Sequence, residues 1–263
     1  MTQAQRRWRG HWRWLACAAS ALWLAGCALP RAAKAPMDFI SLPVSAAHRS
    51  ATLIVFLPGS QEVPKDIVEE GLVAQVRAAG IRADVIVADA HMGYFRAGSF
   101  VQRLREDVML PARAQGYAAV WLAGISLGGF GSLVYAQAHP DEVQGIIALA
   151  PYLAPRAVLR EVSQAGGLAR WQPPLPLAAD DHERALLLWL KGYADPTQAR
   201  PPLYIGYGER DRLQPFEPVM AGILPPDRML SAPGGHEWGP WRRMWVDALD
   251  RVPLPRAEGS VGH

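Results

Sequence analysis

The feature that most constrains this chain is a series of short apolar runs separated by stretches of helical pattern. TLIVFLP (52–58), ADVIVAD (83–89), AAVWLAG (118–124), VQGIIALAP (143–151) and PPLYIGYG (201–208) are apolar on consecutive positions, and a shorter RMLSAP (228–233) follows. Consecutive apolar residues, unlike alternating ones, mean a strand covered on both faces. Helices are expected between them, around 64–79, 99–115, 127–138, 215–224 and 238–250. The fold class is therefore α/β, with a mostly parallel central sheet and helices on both faces. In such a sheet the loops at the carboxyl ends of the strands converge on one edge, and functional groups gather there.

The first 26 residues stand apart. MTQAQRRWRGHWRW is basic with no acid, and the apolar run LACAASALWLAG follows it, ending at Cys27. This is the pattern of an export signal. Leu24, Ala25, Gly26 and Cys27 resemble the bacterial lipobox at all four positions. The resemblance implies cleavage before Cys27, acylation of that cysteine by a fatty acid such as palmitate, and a place in the bacterial cell envelope. The expected location is a periplasm-facing membrane, the outer rather than the inner one. The alternative is an uncleaved anchor, although the apolar stretch is short for a span of about 20 residues.

Residues 27–38, small and proline-flanked, read as a tether, residues 39–250 as one domain and 251–263 as a flexible tail. Half of the 263 residues are hydrophobic, which suits a single sizeable core. Setting the signal aside removes Arg6, Arg7, Arg9 and Arg13 and no acid, so the formal charge falls from +3 to −1. A nucleic-acid partner thereby loses its compositional support. Cys17 lies in the signal and Cys27 is the lipidation site, which leaves no disulfide to brace the mature chain.

From 152 to about 199 the strand–helix alternation breaks. This stretch holds the proline-rich QPPLPLAADD and the apolar ALLLWL (185–190), and is too long for a plain loop. It is expected to form a small cap over the catalytic edge, with a helix packed on the sheet as the alternative for ALLLWL.

Between AAVWLAG and the helix after it lies GISLGG, with Gly124, Ser126 and Gly128 in the spacing G-x-S-x-G. A serine on so sharp a strand-to-helix turn is held out at the sheet edge, and the residues two before and two after must be small for strand and helix to meet. Asp211 follows the strand PPLYIGYG in GERDRL, and His236 follows the last strand in GGHEW. Both positions fall at strand carboxyl ends. A serine hydroxyl needs a base of near-neutral pKa to become a nucleophile, and a carboxylate on the far ring nitrogen fixes that base's tautomer. Glu209 is the substitute acid.

With these residues the chain resembles the α/β-hydrolase superfamily over about 50–250, in which the triad runs nucleophile, acid, histidine along the chain. The resemblance implies a serine hydrolase with Ser126, Asp211 and His236 as its catalytic residues. Its oxyanion hole would use the backbone N–H of Leu127 and, from the Pro58-Gly59-Ser60 turn, that of Ser60. GGHEWGPWRRMW is similar to the G-x-H-x-W-x-x-W stretch of the esterase D, enterochelin-esterase and mycolyl-transferase-like branch. Ester hydrolysis through an acyl-serine is thus expected; an extracytoplasmic acyltransferase, a thioesterase and a catalytically silent binding lipoprotein are the alternatives. The substrate is expected to be a small or lipid-like acyl ester, its pocket lined by His91, Met92, Tyr94 and Phe95. No cofactor is implied, since GISLGGFG carries no lysine for a phosphate loop and no His, Asp or Glu grouping has metal-ligand spacing. Trp238, Trp241 and Trp245 fall at helical spacing and are read as the packing stripe of the final helix.

Overall fold

A computed structural model describes residues 31–47, 49–211 and 216–257. The signal segment, the lipobox with Cys27 and the last six residues of the tail lie outside the described residues.

Seven strands form one sheet: β1 (Phe39–Leu42), β2 (Thr52–Leu57), β3 (Asp84–Ala88), β4 (Ala119–Ile125), β5 (Gly145–Leu149), β6 (Leu203–Gly208) and β7 (Met229–Ala232). Their order is β1-β3-β2-β4-β5-β6-β7, parallel throughout except that β1 runs antiparallel to β3. The expected mostly parallel α/β sheet is what forms. Ten α-helices are described: α1 (Pro64–Glu69), α2 (Leu72–Ala78), α3 (Met92–Arg96), α4 (Phe100–Leu104), α5 (Leu110–Ala114), α6 (Leu127–Ala138), α7 (Arg156–Gln164), α8 (His182–Lys191), α9 (Phe216–Met220) and α10 (Trp238–Arg251).

The two faces of the sheet can be read from alternate residues of one strand. Leu53, Val55 and Leu57 of β2 join a core with Leu104, Leu133, Leu159 and Leu187, from helices α4, α6, α7 and α8. Ile54 and Phe56 point the other way, into a core built with Ile67, Val76 and Trp245 from α1, α2 and α10. Every residue of β2 is buried, which is why its sequence shows no polar alternation. Trp245 anchors α10: its ring meets Phe56 edge-on at 5.3 Å, and its Nε1 donates to the Leu72 carbonyl at 2.9 Å.

Three expectations are corrected. The tether does not run free to residue 38. Met37 is 1% exposed, and its N–H donates to Asp107 at 2.7 Å. The tail is fixed as far as residue 257: Val252 and Leu254 are buried, the Arg82 N–H donates to the Pro255 carbonyl, and the Ala257 N–H donates to the Gly80 carbonyl. ALLLWL lies in α8, whose Leu186, Leu187 and Leu190 are buried in the core. The Ala185 carbonyl accepts from Gln137 near the far end of α6, so this piece packs against α6 and the core, as in the alternative expected for it.

The docked tail should carry measurable stability. Truncation after Arg251 empties the pockets of Val252 and Leu254 and removes two hydrogen bonds from the Arg256 guanidinium, to the Ala79 and Leu249 carbonyls. A loss on the order of 3 kcal/mol is expected in urea unfolding. An unchanged midpoint would show that the tail contributes nothing.

Candidate active site

Strand β4 ends at Ile125 and α6 begins at Leu127, so Ser126 alone makes the turn. It adopts φ 51° and ψ −112°, a conformation that residues with a side chain rarely take and that persists only where the surroundings enforce it. The enforcing contacts are present. The Ser126 N–H donates to the Leu149 carbonyl at 2.9 Å, and its own carbonyl accepts from the N–H groups of Phe130 (3.0 Å) and Tyr152 (3.2 Å). A Cβ on Gly124 would strike the Gly128 backbone, and one on Gly128 would strike the carbonyls of Leu57 and Pro58. Both glycines are therefore required by the close approach of the helix to β4 and to the end of β2.

That approach also places the first turn of α6 against the loop after β2. Leu127 is the first residue of the helix, where a backbone N–H has no intrahelical acceptor. Gly59 is buried and Ser60 exposed at the start of the neighbouring loop.

Two strands further along the same edge, the loops after β6 and β7 are laced together. The Glu209 N–H donates to the Ala232 carbonyl at 3.0 Å, and the Arg210 N–H donates to the Gly234 carbonyl at 2.8 Å. Gly208 leaves room for this, because a Cβ there would meet the carbonyls of Gly234 and Gly235. The lacing sets Asp211 against His236, with Oδ2 and Nδ1 2.7 Å apart. The Asp211 side chain is 1% exposed and that of His236 19%. A carboxylate this buried needs a polar partner, and the imidazole is one. Glu209 is exposed, and its Oε1 accepts from Ser231 at 3.5 Å. The Trp241 ring meets the His236 ring edge to face at 5.0 Å, and Trp238 meets Trp241 at 5.2 Å. The structure thus joins Asp211 to His236 and holds Ser126 on the same edge of the sheet.

The expected pocket residues divide. Tyr94 is 1% exposed and belongs to the core, where burial raises its phenol pKa, so it lines no open pocket. His91 is likewise buried and caps α3, its Nδ1 accepting from the Gly93 N–H at 3.1 Å. Met92 and Phe95 are partly exposed. Phe95 stacks on Phe100 at 4.2 Å and leans on Phe130 at 5.9 Å, and Phe130 meets Tyr152 edge-on at 5.6 Å.

Phe130 and Tyr152 were missed in the sequence, although each has a positional signal. Phe130 lies one helical turn beyond Ser126 on α6, and Tyr152 lies just past the carboxyl end of β5. Burial, with Glu183 adding a smaller repulsion, raises the Tyr152 phenol above its ordinary pKa. Among the described residues no group of three His, Cys, Asp or Glu could hold a metal ion, and no helix is long and apolar enough to cross a membrane.

A seven-stranded sheet with a strained serine elbow and an Asp–His pair on one edge defines a serine hydrolase of the α/β-hydrolase fold. The family model described as "Putative esterase" matches residues 107–252, more than half of the chain and all three of these positions. The chain belongs to this esterase family and is a carboxylesterase-like hydrolase. None of the curated proteins compared with it matches.

Solved structures share the fold at low identity. The fluorophosphonate-binding serine hydrolase F of Staphylococcus aureus is 16% identical with a TM-score of 0.55, covering 82% of this chain and 98% of its own. Est1E of Butyrivibrio proteoclasticus, solved with ferulic acid bound, is 16% identical with a TM-score of 0.55, covering 81% and 92%. An S-formylglutathione hydrolase of Agrobacterium tumefaciens is 14% identical with a TM-score of 0.54, covering 84% and 92%.

The choice of acid is directly testable. Asp211→Asn keeps the shape but presents the wrong hydrogen-bonding groups to the ring, and is expected to lower kcat by about 10³- to 10⁴-fold. Glu209→Gln is expected to stay within about twofold of wild type. The reverse ranking in steady-state ester hydrolysis would transfer the role to Glu209.

Proposed function

We propose that the chain cleaves carboxylic esters through an acyl-Ser126 intermediate. The observation that carries this reading is the buried Asp211 carboxylate 2.7 Å from His236 Nδ1, on the sheet edge that also holds the strained Ser126. With Nδ1–H donating to Asp211, the ring's Nε2 is the basic nitrogen. It takes the proton from Ser126 Oγ as that oxygen attacks the ester carbonyl. The carbonyl oxygen becomes an oxyanion that the N–H groups of Leu127 and Ser60 receive, the first at the positive end of α6. The C–O bond to the alcohol then breaks and the alcohol leaves with the proton from Nε2. Water attacks the acyl-serine in turn, gives its proton to Nε2, and the acid departs as Ser126 recovers its own. Throughout, Asp211 stabilises the imidazolium without taking its proton.

Phe95, Phe130 and Tyr152 form an aromatic row beginning one turn beyond the nucleophile, with Met92 on the helix that carries Phe95. This supports an apolar or aromatic group on the substrate. The lipobox-like Leu24-Ala25-Gly26-Cys27 supports lipid anchoring outside the cytoplasm of a bacterium, on a periplasm-facing membrane.

Two measurements test these readings separately. Ser126→Ala is expected to abolish labelling by a fluorophosphonate probe and to lower turnover of chromogenic esters at least about 10³-fold. Equal labelling and equal rates in wild type and variant would refute the acyl-serine. Cys27→Ser is expected to move the protein out of the membrane fraction and remove incorporated palmitate; unchanged fractionation would favour an uncleaved anchor.

A further inference from the structure

At the end of the sheet opposite the catalytic edge, the starts of β2 and β3 and the docked tail border an open cavity of about 450 Å³. Its lining includes Arg49, Arg82 and Arg256 and the hydroxyl residues Ser45, Ser50 and Thr52, with no carboxylate among the described residues. Two of the arginines are set in place by the main chain. Arg256 donates from Nη1 to the Ala79 carbonyl at 2.6 Å and from Nη2 to the Leu249 carbonyl at 2.5 Å. Arg49 donates from Nη1 to the Gln115 carbonyl at 2.9 Å, and its guanidinium lies 5.5 Å over the Tyr117 ring. The backbone of Arg82 is pinned by the Pro255 carbonyl at 2.7 Å and the Ser50 hydroxyl at 2.6 Å. Its side chain is exposed and makes no hydrogen bond or ion pair among the described residues.

The nearby acid meets neutral donors and no guanidinium among the described residues. Asp84 is 2% exposed, and its oxygens accept from the Val44 N–H (2.7 Å), the Ser50 N–H (3.2 Å) and the Tyr117 hydroxyl (2.8 Å). That hydroxyl's pKa is pushed up to about 12, by burial first and by the hydrogen bond to Asp84 second. Elsewhere the chain's arginines commonly meet carboxylates, as Arg105 meets Glu142 and Arg184 meets Glu161. Three arginines lining one cavity, with no described carboxylate in the lining, offer positive charge to an anion.

We propose that this cavity is a binding site for a phosphate-class oxyanion, a phosphate mono- or diester. Guanidinium presents donors that match phosphate oxygens; main-chain carbonyls hold Arg49 and Arg256 in place, which lowers the ordering cost of binding, and Arg82 keeps its whole fork for the ligand. The cavity is large enough for the ester substituent as well as the phosphate, falling within the usual range of about 300–1,000 Å³ for small-ligand sites. The same chemistry is offered by a soluble phosphoester and by a phospholipid headgroup. The inference stands apart from the proposed ester hydrolysis, since none of these residues lies on the catalytic edge.

The test uses the full chain carrying Cys27→Ser, so that an acyl anchor adds nothing to membrane binding. It is titrated calorimetrically with inorganic phosphate and glycerol 3-phosphate in chloride buffer of constant ionic strength, and floated with vesicles of phosphatidylglycerol or phosphatidylcholine. Saturable binding of the soluble phosphates that weakens about tenfold in Arg82→Ala, and further in Arg49→Ala/Arg82→Ala, supports a free phosphoester. Flotation with phosphatidylglycerol only, lost in the double variant, supports a headgroup. Unchanged thermal melting of the variants confirms that their fold is intact. Binding to none of the probes, or binding that the double variant retains in full, overturns the site.

Discussion

The structure depends on the contact between the first turn of α6 and the edge of the sheet. The helix can start one residue after β4 only because Gly128 lets its backbone pass against the carbonyls of Leu57 and Pro58, and because Gly124 faces Gly128 without a side chain. From this close approach follows the positive φ of Ser126. The strain has structural support on both sides, from the β5 carbonyl of Leu149 and from the Tyr152 N–H after that strand. Side chains at these glycines would push the helix away, and the serine would lose both its exposure and its neighbouring helix N-terminus.

A second constraint holds the other half of the site. The loops after β6 and β7 have no secondary structure of their own at Asp211 and His236, yet they are tied to each other by main-chain hydrogen bonds from Glu209 and Arg210. A carboxylate placed on one loop therefore has a fixed relation to a ring on the other. Trp241 closes the arrangement by packing its indole against the imidazole from the first turn of α10. Trp245, one turn further on, fixes that helix to α2 through the Leu72 carbonyl. The aromatic stripe thus links the position of the His236 ring to the core of the sheet's second face.

How legible these features were depended on how many residues carried each signal. Strands β2 to β6 are legible because their short apolar runs recur at regular intervals between helical stretches; the ALLLWL run, equally apolar but outside that alternation, forms α8. Strand β1 does not, since FISL is half-exposed and pairs on one edge only. Met37, Val252 and Leu254 are single apolar residues without periodicity, so a tether and a tail were read where the chain is docked. The helix expected over 99–115 forms as α4 and α5 with a π-helical turn at Arg105–Met109 between them, just ahead of Pro111, whose ring removes a donor and crowds the preceding turn. In the site, Ser126 and His236 were fixed by their positions at strand ends. The choice between Asp211 and Glu209 was not, because only the lacing of two loops distant in sequence decides which carboxylate turns inward. Tyr94 was misplaced for a similar reason: Met92–Arg96 form about one helical turn and a half, and sequence proximity does not say which of its faces meets the core.

The two edges of the sheet differ in chemistry as well as in position. The carboxyl edge holds partly exposed aromatic rings and a buried carboxylate paired with an imidazole, an arrangement suited to a neutral ester whose charge appears only during reaction. At the amino edge, three arginines and three hydroxyl residues line a cavity with no acid among the described lining residues, which suits a ligand already charged before it arrives. The docked tail separates these roles. By supplying Arg256 and the carbonyl of Pro255 to the amino edge, it builds that cavity from a segment remote from the catalytic loops. Removing the tail should therefore cost the amino edge its geometry while leaving the Asp211–His236 contact intact, because that contact is held by the β6 and β7 loops.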